Sequence, residues 1–68
     1  MKSISGKKLI KVLEKKGWKS ARISGSHHIY IKQGSKIRLS IPVHKNRDLK
    51  IGLLKHFLQV AGLDEKDL

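Results

Sequence analysis

Apolar positions along the chain fall on two helical stripes that bracket a stretch of alternation. Leu9, Ile10, Val12 and Leu13 recur at helical spacing behind Ser3 and Ser5, either of which can cap an N-terminus, and Gly17 supplies a stop. These positions predict a first helix over residues 5–16. Trp18 to Ile23 reads as a strand, Ser24-Gly25-Ser26 as a turn, and His27 to Lys32, with Ile29, Tyr30 and Ile31, as a second strand. Gln33-Gly34-Ser35 predicts a hairpin turn. Ile37, Leu39 and Ile41 then alternate with Arg38 and Ser40, the period of a strand with one buried and one wet face, and Pro42 closes it. The segment 43–48 is polar, with Asp48 placed to cap a second helix over 49–61 that carries Ile51, Leu54, Phe57, Leu58 and Ala61 on one stripe. Gly62-Leu63 has the form of a glycine stop, and the acidic tail from Asp64 to Leu68 is expected to fray.

The order α-β-β-β-α predicts one α+β domain over residues 1–68: a three-stranded antiparallel meander with both helices on one face. Ile37, Leu39 and Ile41 are expected to meet Leu9, Leu13, Leu54 and Phe57 across a single core. The other sheet face is left open for a ligand. This is the element order of a double-stranded-RNA-binding domain in reduced form. With 68 residues and no cysteine, the chain lies near the lower limit of what buries its own core. Its apolar runs are two or three residues long, against roughly 20 for a membrane span. Zero Cys and a start without an apolar leader point to the cytoplasm.

Charge sharpens the picture. The chain holds 16 Lys+Arg and 5 Asp+Glu, a formal net +11. Asp64, Glu65 and Asp67 are confined to the tail, so Glu14 and Asp48 are the only carboxylates before residue 64. Such a field favours a polyanion, nucleic acid above all. Lys7, Lys8, Lys11 and Lys15 form the outer face of the first helix, which equally describes an ordinary solvated surface.

Four histidines carry the candidate chemistry. His27 and His28 open a strand beside the flexible Gly25-Ser26 turn, where a phosphate can approach the backbone closely. His44 follows Pro42 at the end of the third strand, and His56 sits on the wet side of the second helix. RNA carries its own nucleophile, the ribose 2′-OH, so a protein need only move a proton and stabilise charge on phosphate. A histidine among lysines and arginines suffices for that, although a strand histidine pair is more often a packing or solvent feature. Adjacent strand residues point to opposite faces, no HxH or HExxH spacing exists and carboxylates are few, so neither a metal nor a cofactor is expected.

Taken together, Lys15-Lys16-Gly17-Trp18, Gly25-Ser26-His27-His28-Ile29-Tyr30, Ile41-Pro42-Val43-His44, and Asp48-Leu49 to Gly52 leading to Ala61-Gly62-Leu63 resemble the HicA toxins over nearly the whole length. The resemblance implies a metal-independent RNA endonuclease, an mRNA interferase of the double-stranded-RNA-binding type, silenced by a HicB antitoxin. It implies that His27, directly after the Gly-Ser pair, is the catalytic residue. Gly25, Ser26, His28, Lys32, Arg38, His44 and Lys45 are then the RNA-binding or supporting candidates. Many relatives open the second helix with Gly-Thr, whereas this chain has Gly52-Leu53, so no hydroxyl is available there. On a regular strand His27 would share a face with Ile29 and Ile31, which look like core, and His28 would share the open face with Tyr30 and Lys32. Either His27 precedes the regular strand or His28 is the catalyst. Two other readings compete, a non-catalytic RNA-binding module of the same fold and a basic adaptor protein. Only the nuclease breaks phosphodiester bonds.

Overall fold

The computed structural model describes residues 2–45 and 47–68, leaving Met1 and, in the loop after the third strand, Asn46 outside the description. Helix α1 (Gly6–Lys15) starts where the Ser5 hydroxyl accepts the Lys8 N–H at 3.2 Å. Leu9, Ile10 and Leu13 form its buried stripe. Gly17, at φ +96°, then turns the chain into a region that L side chains disfavour. Strands β1 (Trp18–Ser24), β2 (His27–Lys32) and β3 (Arg38–Pro42) form an antiparallel sheet in the order β1-β2-β3. Helix α2 (Ile51–Ala61) ends at left-handed Gly62, with the Leu63 N–H donating to the Leu58 carbonyl at 2.8 Å.

The fold is thus the expected α+β meander, α-β-β-β-α. Both helices cover one sheet face. Leu9, Ile10 and Leu13 of α1 and Leu54, Phe57 and Leu58 of α2 join Trp18, Tyr30, Leu39, Ile41 and Leu49 in one core. The N-terminus of α1 lies hard against β3: a Cβ on Gly6 would stand 2.3 Å from the Pro42 carbonyl oxygen. Among the described residues, no helix is long and apolar enough to cross a membrane.

Four expectations change. In β2 the buried residue is Tyr30, 4% exposed and paired with buried Leu39, while Ile31 is 39% exposed. The aromatic ring contributes the larger apolar area, so it takes the covered face and sends Ile29 and Ile31 to the other. Burial above all, then the charge of Glu14, raises the Tyr30 phenol above its ordinary pKa, and a hydrogen bond with Ser20 partly offsets this. Ile37 is not core but 44% exposed: the Ser35 hydroxyl accepts its N–H at 3.2 Å, holding it in the turn, and β3 starts one residue later.

Asp48 does not cap α2. It bridges Ser5 through the backbone, and the Leu49 N–H donates to the Ile4 carbonyl at 2.8 Å. These bonds keep the segment extended, so α2 begins at Ile51 behind Lys50, whose side chain caps nothing. The tail is ordered rather than frayed. Asp64 caps a 3-10 turn over Glu65–Asp67, and Asp67 meets Lys16 at 3.1 Å. The backbone N–H of Asp64, followed by Lys16, lowers the Asp67 pKa. Exposed pairs of this kind add little stability.

Candidate active face of the sheet

Strand pairing lays out the uncovered face as three rows of three. Lys19, Ile31 and Arg38 form one row, Arg22, Ile29 and Ser40 the next, and Ser24, His27 and Pro42 the third. Paired residues share a face, so His27 stands on the open side with Ile29 and Ile31, and His28 turns toward the helices between Ile23 and Ile41. The burial of Tyr30 sets the phase of the strand. His27 needs no bulge to reach the open face, because the whole strand has the opposite phase.

His27 is exposed, and His28 is half-buried. Gly25, at φ +58°, has no atom within 4 Å of where a Cβ would lie, so the turn before His27 is open to an incoming group. The Ser26 carbonyl accepts the Val43 N–H at 2.7 Å, which extends the β2–β3 pairing and ties the turn to the chain leading to His44. His44 and Lys45 are exposed just beyond Pro42, where the Arg47 N–H donates to the His44 carbonyl at 3.0 Å. The structure therefore gathers Gly25, Ser26, His27, His44 and Lys45 at one end of the sheet. Arg38 shares the open face but sits at the far end, four residues from Pro42, or roughly 13 Å along the strand. Lys32 pairs with buried Trp18 on the helix side and passes beside Gly17, so it is not brought to His27.

Two neighbours escaped the sequence reading. Arg22 and Lys19 share the open face, and Arg22 is the diagonal neighbour of His27, about 7 Å away at the backbone. A register irregularity between Ser20 and Arg22 shifts the phase of β1, and no periodicity in Lys19-Ser20-Ala21-Arg22 announces it. Among the described residues the one ion pair is Lys16–Asp67, so no carboxylate is paired with Arg22, Arg38 or Lys45.

Next to the third row lies a cleft of about 270 Å³ lined by Pro42, His44, Arg47, Asp48, Leu49, Lys50 and Leu53. A larger one of about 420 Å³ runs between α2 and the tail and includes Asp64 and Glu65 but no histidine, so it is poorly suited to an anion. No group of three or more His, Cys, Asp or Glu side chains suited to hold a metal occurs among the described residues.

Such a surface, an exposed histidine on a bare sheet face with cations beside it, is suited to proton transfer on a bound polyanion. A protein-family model described as the HicA toxin of bacterial toxin–antitoxin systems matches residues 6–63. No curated protein matches the chain.

Proposed function

The chain belongs to the HicA toxins of bacterial toxin–antitoxin systems, and on that premise we propose that it is a metal-independent RNA endonuclease in which His27 moves the proton. The observation that carries this reading is the placement of His27: exposed on the open face, beside an unobstructed glycine turn and diagonal to Arg22. Toxins of this family act on RNA as ribonucleases, in keeping with a chain of net +11.

In the proposed reaction the imidazole of His27 takes the proton of a ribose 2′-OH. The 2′-oxygen attacks the adjacent phosphorus, the bond from phosphorus to the 5′-oxygen breaks, and that oxygen takes a proton from water as it leaves, while His27 later returns its own proton to solvent. Arg22 and, across Pro42, Lys45 provide positive charge where the phosphate gains negative charge, with the His44 imidazole beside them. The products are a 2′,3′-cyclic phosphate and a 5′-hydroxyl. Incubating the purified protein with RNA in excess chelator should yield these ends. A strict requirement for a divalent cation, or 5′-phosphate ends, would contradict the scheme.

A toxin of such a pair has an antitoxin partner. We take that partner to be HicB-like and to cover the His27 end of the sheet, with acidic or hydrogen-bonding residues facing Arg22 and Lys45 in the cytoplasm where both act. Complementary charge speeds such an encounter, and a few apolar anchors, for which Ile29 and Ile31 are available, slow its reversal. RNA cleavage by the complex at the rate of the free toxin would rule this masking out.

A further inference from the structure

The cleft beside Pro42 mixes three kinds of side chain that RNA chemistry can separate. Pro42, Leu49 and Leu53 give it an apolar lining, His44, Arg47 and Lys50 line it with basic side chains, and Asp48 adds an acidic one. The apolar part is firmly held. Leu49 is buried, its N–H is bonded to Ile4, and its carbonyl accepts the Ser3 hydroxyl.

Asp48 is the unexpected member. It is the only carboxylate between Glu14 and Asp64. It is exposed, it does not cap α2, and among the described residues its side chain accepts no hydrogen bond and forms no ion pair. A negative charge at the edge of an RNA site repels phosphate and weakens every sequence-independent contact. Toward RNA it is favourable only opposite a donor group, and RNA's donors are the ribose 2′-hydroxyls and the base edges, of which only a base edge sets two donors side by side.

We infer that this cleft is a nucleobase subsite and that Asp48 reads a guanine in it, an inference that rests on the reading of the chain as an RNA nuclease. A carboxylate is a two-oxygen acceptor, and only guanine offers two parallel donors, N1–H and the N2 amino group, on one edge. Cytosine and adenine each place one amino group next to a ring acceptor, and uracil flanks its single N–H with two carbonyls. The size agrees: about 270 Å³ lies just under the roughly 300 to 1,000 Å³ of pockets for drug-sized ligands, which suits one unstacked nucleotide and not a duplex. The cations take the flanking phosphates. Pro42 lines the cleft and pairs with His27, so the base held there belongs to a nucleotide next to the bond that His27 would act on.

Binding to oligonucleotides that cannot be cleaved tests this without relying on activity. The probes are 2′-O-methyl heptamers of uridine, alone or with one guanosine, adenosine or cytidine at the centre, titrated against the full chain. The guanosine heptamer should bind about five- to 150-fold more tightly than the all-uridine one, as expected for one bidentate contact to a base. Asp48→Asn should bring that ratio close to one and strengthen binding to all-uridine, because a negative charge has left a cationic surface. Equal affinities of the wild-type chain for all four heptamers, a preference for another base, or a guanosine preference that survives in Asp48→Asn would each overturn the subsite while leaving RNA as the ligand. Failure of every heptamer to bind would instead remove the nuclease reading, and the subsite with it. An unchanged melting temperature shows that Asp48→Asn is folded, since the backbone bridge to Ser5 does not use the carboxylate.

Discussion

With alanine in place of His27, the chain should keep its melting temperature and its RNA affinity while cleavage falls by about 10² to 10⁴, the usual contribution of a positioned acid or base. The expectation of an intact fold follows from the open face. His27 is exposed, belongs to no part of the core, and pairs through its backbone with Ser24 and Pro42, which alanine preserves. His28→Ala should behave differently. That side chain is half-buried on the helix side beside Ile41, so its loss should lower the melting temperature more than the catalytic rate. Single-turnover cleavage and thermal melts of the two variants separate the cases. A fully active His27→Ala protein would remove the assignment.

The second large effect is on stability. Gly6→Ala puts a methyl group 2.3 Å from the Pro42 carbonyl oxygen, a distance that neither backbone can tolerate without moving. Forcing an extra carbon into a packed site costs typically about 1 to 3 kcal/mol. In a domain of this size that lowers the melting temperature by roughly 4 to 24 °C, at 4 to 8 °C per kcal/mol. Gly52→Ala is the internal comparison. No atom lies within 4 Å of its added carbon, and alanine is the better helix former, so this variant should gain about 0.5 to 1 kcal/mol. If Gly6→Ala melted as high as the wild type, the close approach of α1 to β3 would be wrong. A partial shift of Pro42 should also slow cleavage, because Pro42 is the residue paired with His27.

Wherever polar and apolar residues alternate cleanly, the chain announces its own structure. Leu39 and Ile41 against Arg38 and Ser40 place β3, and Leu9, Ile10 and Leu13 place the buried stripe of α1. The pattern fails where it carries no contrast. Ile29, Tyr30 and Ile31 are all apolar, so the segment reads as a strand but has no visible phase, and the phase decides which histidine is outside. Long-range backbone bonds are invisible in the same way. The bonds from Ile4 and Ser5 to Leu49 and Asp48 hold the start of α2 back and leave Asp48 lining the cleft, although its position looks like that of a cap. Gly25, Ser26, His27 and His44 could be named from the sequence because they flank turns, and Lys45 through the family resemblance, whereas Arg22 depends on an irregularity inside β1 that has no sequence mark.

The sheet also divides the chain's freedom to evolve. Its covered side, with Tyr30, Leu39 and Ile41, is tied to both helices, whereas the nine positions opposite hold no part of the buried core. Substitutions there can drift toward a new substrate or a new antitoxin at little risk to folding. Loss or gain of a single residue between His27 and Tyr30 has no such latitude, because the period of two would then put both on one face, so that either His27 enters the interior or Tyr30 faces water. A lineage carrying this fold can therefore diversify its targets by exchanging side chains, but its second strand must keep its length.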